Sequence, residues 1–209
     1  MRVVVTGATS MIGVALIKAC IQNKCEILAI ARKNSKNEYR IPKSDFVNVV
    51  YADLDELETI SSDVNRWDVF YHLAWNCTSR RDRDNPVYQE GNIRTTLDAV
   101  KLAHRLGCRK FVGAGSQAEY GIVRDIINEQ TPVSPITAYG MAKLSAGMLS
   151  SRMCEEYGMM HVWTRIFSVY GINDTENSMI SYAIQTWNNG EKAKLRKEEL
   201  SNQYGVPVI

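Results

Sequence analysis

The sequence has no long hydrophobic run and almost no surplus of charge of either sign. Its longest apolar neighbourhood, residues 11–21, is broken by Gly13 and Lys18, so nothing reaches the roughly 20 apolar residues that a membrane-spanning helix needs. Lys and Arg number 25 against 23 Asp and Glu, a formal net charge of +2, which removes the electrostatic case for a dedicated nucleic-acid binder. Five cysteines, Cys20, Cys25, Cys77, Cys108 and Cys154, form an odd set without a CxxC or any metal-like spacing. They read as reduced thiols, which points to a cytoplasmic protein, and no metal site is expected. A strand pattern starts directly after Met1, so no signal peptide is expected either. Repeats and low-complexity linkers are absent. What is present is 209 residues, 45% hydrophobic and 23% charged, enough to bury a large core and too apolar for a disordered chain.

Short β-branched runs alternate with longer helical patterns. Strands are predicted at residues 3–5, 26–31, 47–51, 69–74, 110–114 and 161–167, and helices at 12–23, 87–106 and 138–157. The last two helices run into Gly107 and Gly158, residues suited to stopping a helix. Continuous apolar strands alternating with helices imply a parallel sheet covered on both faces. With right-handed crossovers this is an α/β, Rossmann-like doubly wound sheet.

The first strand-to-helix turn reads Thr6-Gly7-Ala8-Thr9-Ser10-Met11-Ile12-Gly13. Gly7 permits the tight turn, Gly13 permits close packing of helix on sheet, and the helix N-terminus would then face a phosphate. A structural turn with incidental glycines is the alternative. This turn resembles the TGxxGxxG fingerprint of the short-chain dehydrogenase/reductases, with Ser10 where the middle glycine stands. A hydroxyl there could crowd a cofactor or hydrogen-bond to it. The second strand ends Ala31-Arg32-Lys33, without the acid that favours NAD, and Arg32 suits a 2′-phosphate. NADP is therefore expected over NAD, the alternative being a solvated basic loop.

The resemblance continues along the chain. Asp53 and Leu54 match the family segment that meets the adenine, and His72-Leu73-Ala74-Trp75 resembles its HLAA stretch, whose backbone lines the cofactor. Asn92 falls in the matching long-helix pattern. Asp53 could equally cap a helix, and His72 reads as a core histidine. Cofactor contacts are thus implied for Gly7, Thr9, Ser10, Met11, Ile12, Gly13, Arg32, Asp53, Leu54, Leu73, Ala74, Trp75, Asn92, Tyr139 and Lys143.

Tyr139 and Lys143 are four apart on a predicted helix and so share one face. Bringing a phenol from a pKa of about 10 to about 7 needs about 4 kcal/mol, and a cation about 4 Å away at an effective dielectric near 20 supplies that. Upstream, Gly115-Ser116-Gln117-Ala118-Glu119-Tyr120-Gly121 resembles the SSxxxYG segment of the extended members of the family, and Ser116 falls on the serine that binds the substrate oxygen. A turn-capping serine is the alternative there. Downstream, Arg165-Ile166-Phe167-Ser168-Val169-Tyr170-Gly171 resembles RxxNVYG, with Ser168 in place of asparagine. The chain is identified by these segments with the NAD(P)-dependent epimerase/dehydratase family, whose usual substrates are nucleotide-linked sugars.

The resemblance implies Tyr139 as general acid/base, Lys143 as its activator and ribose ligand, and Ser116 as the group orienting the substrate oxygen. Dehydratases carry an acid pair after that serine. Gln117 and Ala118 stand there, which favours a reductase or epimerase, and the wording GSQAEYG is closest to reductases of 4-keto-6-deoxy sugar nucleotides. Residues 1–175 are expected to form the cofactor domain, and 176–209 a partial start of the substrate lobe, the rest of which is absent. Residues 191–200 carry seven charges in ten, the mark of a solvated helix. A non-catalytic NAD(P)-binding remnant or sensor is the competing function. The two long helices carry more apolar surface than one sheet face needs: Ile93, Leu97, Val100 and Ala103 suit the sheet-facing side of the first, and Leu144, Met148 and Cys154 lie along the second. The resemblance implies that these helices pair with their copies, so a homodimer is expected, the alternative being that the absent C-terminal lobe covers that surface.

Overall fold

The computed structural model describes residues 1–62, 66–79, 81–175 and 178–193. Six parallel strands form one sheet: β1 (Arg2–Thr6), β2 (Glu26–Ala31), β3 (Val47–Tyr51), β4 (Val69–His72), β5 (Lys110–Ser116) and β6 (Met160–Ile166). Their order is β3-β2-β1-β4-β5-β6. The chain therefore reverses direction of travel across the sheet between β1 and β4, and a crevice opens beyond the carboxyl ends of those strands. Helices α1 (Met11–Gln22), α2 (Pro86–Arg105), α3 (Ala138–Glu156) and α4 (Met179–Asn188) complete the regular structure.

Alternation along the central strands splits the core in two. Val3, Val5, Ile27 and Ala29 point to one face and bury against Ile17 and Cys20 of α1. Val4, Leu28, Phe70 and Phe111 point to the other and bury against Ala99, Leu102 and Ala103 of α2 and Cys154 of α3. Phe70 and Phe111 stack at 5.7 Å between ring centroids at the centre of that layer. The strands at the two ends of the sheet depart from the expected continuous burial. In β3 and β6 no residue is fully buried, because each has a neighbour on one side only.

Helix ends follow local chemistry. Asn85 caps α2 by accepting from the Val87 and Tyr88 amides, Pro86 occupies the first turn, and Thr137 caps α3 through the Gly140 amide. Gly107 and Gly158, at φ of +72° and +65°, end α2 and α3 as expected. Strand β4 is two residues shorter than predicted and β5 two longer. Helix α4, capped by Ser178, was not anticipated from the sequence. It falls in the stretch expected to open a second lobe. Residues 194–209, most of the charged run included, lie outside the described residues. All five cysteines are unpaired thiols, and burial pushes Cys108 up to about 12 and Cys154 to about 11.

One packing feature recurs in the site. The indole of Trp163 on β6 lies in a slot made by three glycines, and a Cβ at Gly113, Gly115 or Gly147 would meet it at 2.3, 2.4 and 2.8 Å. A flat, rigid ring cannot retreat from such contacts as a flexible side chain can. Gly113→Ala is expected to destabilise the fold by about 1–3 kcal/mol through overpacking, and Trp163→Leu in the same chain to recover part of that loss. Thermal denaturation of the two single variants and the double variant checks this; additive effects would count against the slot.

Candidate active site

The carboxyl ends of the strands open onto one cavity of about 740 Å³. Its first wall is the glycine-bearing turn. Gly7 has φ +71°, and a Cβ there would meet the Ala74 amide nitrogen and Leu73 carbonyl carbon at 2.9 Å, so the turn lies directly against the chain leaving β4. At Gly13 a Cβ would meet the Gly7 carbonyl oxygen at 2.2 Å. Gly13 thus lets α1 start close to the turn without itself lining the cavity. The Ser10 hydroxyl accepts from the Gly13 amide at 3.0 Å, so it caps the helix whose N-terminus it stands on. Met11 and Ile12 in the first turn of α1 line the cavity with Thr9 and Ser10, and a helix leaves its first amides without intrahelical partners.

The second wall follows β2 and β3. Arg32, Ala52 and Leu54 line it, joined by Asn37 and Arg40, which sequence reasoning did not single out. Asp53 is not among the lining residues. Its amide donates to the Glu56 carboxylate at 3.1 Å, and it caps no helix.

Leu73, Ala74 and Trp75 line the cavity floor after β4. The Asn92 side chain stands behind this segment and brackets Asn76, accepting from its amide at 2.7 Å and donating to its carbonyl at 3.1 Å. Its part is to brace the loop from α2. Buried Gln89 does the same one turn earlier, accepting from the Trp75 indole at 2.9 Å and donating to the carbonyls of Cys77 and Asp82. His72 is a core residue, bonded to Thr6 at 2.9 Å, and burial holds it down to about 3, so it is neutral.

The third wall carries Ser116, Tyr139 and Lys143. Helix α3 starts where it does because Gly140 lies against the turn after β5; a Cβ there would meet the Ala118 carbonyl oxygen at 2.5 Å. That contact seats the start of α3 against the turn that carries Ser116, and Tyr139 and Ser116 line the same cavity. One turn on, the Lys143 ammonium is buried and donates to the Ala114 carbonyl of β5 at 2.6 Å. Burial pulls it down from the ordinary lysine range to about 7; Glu119 pushes it up and Arg83 further down. The ammonium lies 3.6 Å from the centre of the Trp75 ring and 5.7 Å from that of Tyr139. Arg83, whose carbonyl accepts from the Tyr139 amide, has its guanidinium carbon 4.2 Å from the tyrosine ring centre. Two cations therefore lie near one phenol ring.

The chemistry available is proton exchange at Tyr139, with Ser116 as a neighbouring hydroxyl donor and Lys143 as the adjacent charge. Of the residues expected at a cofactor, all line the one cavity except Gly13, Asp53 and Asn92. Sequence reasoning missed Arg83, Arg40, Gln89 and Glu119. Only Glu119 left a signal, as an acid in a segment of small residues leading out of a buried strand.

Comparison with known proteins bears on the family and the fold. A Methanocaldococcus jannaschii protein, whose assignment as a UDP-glucose 4-epimerase is itself provisional, is 28% identical over 174 residues, 81% of this chain and 56% of its own. The UDP-N-acetylglucosamine 4-epimerase of Methanobrevibacter ruminantium, solved with UDP-N-acetylmuramic acid, superposes with a TM-score of 0.78 at 26% identity, over 91% of this chain and 63% of that one. The UDP-glucuronic acid 4-epimerase of Bacillus cereus, solved with NAD, shares the fold at a TM-score of 0.76 and 21% identity, over 91% of this chain and 63% of its own. The chain spans a little over half the length of the first of these. A profile of the NAD dependent epimerase/dehydratase family matches residues 3–203, and the chain belongs to that family.

Proposed function

We propose that this chain carries the cofactor-binding and catalytic part of an NAD(P)-dependent epimerase or reductase acting on a nucleotide-linked sugar of the 4-keto-6-deoxy type. The observation that carries the reading is convergence: Ser116, Tyr139 and Lys143 reach the same cavity as the glycine turn. The residues fit a dinucleotide at its phosphate end, where a Cβ at Gly7 would fill the close approach to Ala74 and the first turn of α1 lines the cavity. Gly7, Thr9, Ser10, Met11 and Ile12 would hold the phosphates, Leu54 and Arg32 the adenosine side, and Leu73, Ala74, Tyr139 and Lys143 the nicotinamide side. When bound, the nicotinamide supplies hydride exchange. Tyr139 moves a proton to or from the substrate oxygen, Ser116 orients that oxygen, and Lys143 and Arg83 favour the phenolate.

One observation favours the competing reading, a non-catalytic NAD(P)-binding protein or sensor. The Trp75 indole lies over the Lys143 ammonium, on the side where the family resemblance implies a ribose. Turnover separates the two readings. NADPH oxidation against a panel of 4-keto sugar nucleotides is expected, and Tyr139→Phe should lower its rate by about 100-fold or more. No turnover with any of them would favour the sensor.

Arg32 lines the cavity beyond β2 and makes no ion pair among the described residues, so NADPH is expected to bind tighter than NADH by about tenfold, the equivalent of about 1.4 kcal/mol. Arg32→Ala should abolish the difference. Titration of nicotinamide fluorescence with both dinucleotides measures it, and equal affinities in the wild type would remove the preference.

The outer aspect of α2 and α3 supports a homodimer. Met141, Met148 and Leu149 are largely exposed on α3, and Val87 and Tyr88 on α2, while Val100, Ala103 and Cys154 are spent in the core. Light scattering is expected to give twice 23.6 kDa for the chain and half of that for Met148→Glu. A concentration-independent monomer in the wild type would refute the pairing.

A further inference from the structure

Glu119 is the most deeply buried carboxylate among the described residues, with no solvent exposure, and nothing in the proposed chemistry uses it. It sits in the one-turn 3-10 segment Gln117–Glu119 that follows β5. Three donors meet its two oxygens. The Ser116 amide donates at 2.7 Å and the Trp163 indole at 3.0 Å to one oxygen, and the Arg165 guanidinium donates at 2.8 Å to the other. Arg165 in turn donates to the Tyr120 hydroxyl at 3.2 Å.

A buried carboxylate is costly unless it is fully paired, and a well-packed apolar side chain in its place is commonly no worse for stability. The fold alone therefore gives no reason for a charge here. Two neighbours do. The first is Ser116. Glu119 and Ser116 form a reciprocal cap, in which the Ser116 hydroxyl oxygen accepts from the Ala118 amide at 3.2 Å. With its oxygen accepting inside the turn, the hydroxyl has its own proton left to give toward the cavity. The second is Lys143, which among the described residues feels Glu119 as the one anion acting on it. The other described groups facing that ammonium are Arg83 from the loop after β4, neutral His72 from β4, Tyr139 from its own helix, the Ala114 carbonyl from β5 and the Trp75 ring.

We propose that Glu119 is the positioning residue of this site, its buried carboxylate holding the Ser116 turn in place and serving as the counter-charge that keeps the Lys143 ammonium charged beside Tyr139. Trp163 and Arg165 hold the carboxylate itself, and the glycine slot around the indole exists to admit that ring. The proposal rests on the assignment of Ser116 and Lys143 made above, although its test does not need turnover.

The sign follows from charge. Lys143 titrates near neutrality, at about 7, with Glu119 pushing it up. Removing the anion lowers the midpoint, so the ammonium is lost at lower pH. Removing the arginine that neutralises the anion raises it. Glu119→Gln keeps an oxygen acceptor for Ser116 and Trp163 and removes only the charge. Titration of Lys143 is read by NMR in protein carrying 13C-labelled lysine, with the resonance assigned from Lys143→Arg. The midpoint is expected to fall by about one pH unit in Glu119→Gln and to rise in Arg165→Gln. In a turnover assay the alkaline limb of the pH–rate profile should move the same way in each variant. An unmoved midpoint in folded Glu119→Gln, or movement of both variants in one direction, overturns the proposal. Should Glu119→Gln fail to fold, the rise in Arg165→Gln decides alone, and its absence is the refuting result. If the wild type turns over no sugar nucleotide, the functional reading fails while the Lys143 titration still decides this one.

Discussion

An ammonium buried as deeply as that of Lys143 must be compensated by fixed partners, and the arrangement of the site follows from how that is done. The Ala114 carbonyl of β5 accepts a hydrogen bond from it, which ties α3 to the sheet at a set height. Once α3 is placed there, Tyr139 is one turn nearer the cavity mouth, and Gly140 allows the helix start to touch the turn carrying Ser116. The three residues do not need separate devices to find one another. They are set by one helix docked against one strand end.

The same logic runs through the opposite wall. Gly7 and Gly13 remove two side chains so that the turn, the helix and the chain after β4 can meet at van der Waals distance. What approaches this wall meets backbone amides and the positive end of α1. The site is therefore assembled from two close backbone approaches on either side of the point where strand order reverses. Side chains from α2, Asn92 and Gln89, then fix the floor between them by bonding to backbone of the loop after β4.

Trp75 and Glu119 show how a common framework acquires a particular character. Where the family resemblance has a small residue, the indole of Trp75 covers the face of the Lys143 ammonium and is itself pinned to Gln89. A cation on an aromatic face keeps much of its stabilisation without water. Glu119 is the anion acting on that ammonium among the described residues, with Arg165 and Trp163 donating to its carboxylate oxygens. Lys143, Tyr139, Trp75 and Arg83 thus form a contiguous charged and aromatic group at one end of the cavity.

Much of this was legible in the residues in order. Strand and helix periodicity, the glycines of the first turn, the capping residues and the Tyr139–Lys143 spacing are local properties, decided by backbone sterics and by hydrogen bonds within a few residues. They carried the doubly wound fold and the cavity residues, with helix ends displaced by one residue. The alternation was harder to read at β3 and β6, since exposure of an edge strand depends on what lies beside it. Local sequence could place Asn92 near the site, yet that its side chain braces a loop depends on a partner 16 residues away, and Asp53 does not line the cavity but meets Glu56 through its backbone amide. The pairings of Glu119 with Trp163 and Arg165, 44 and 46 residues on, could not be seen from any window of sequence. They come into being only when β6 pairs with β5, because a buried charge selects its partners by distance in space.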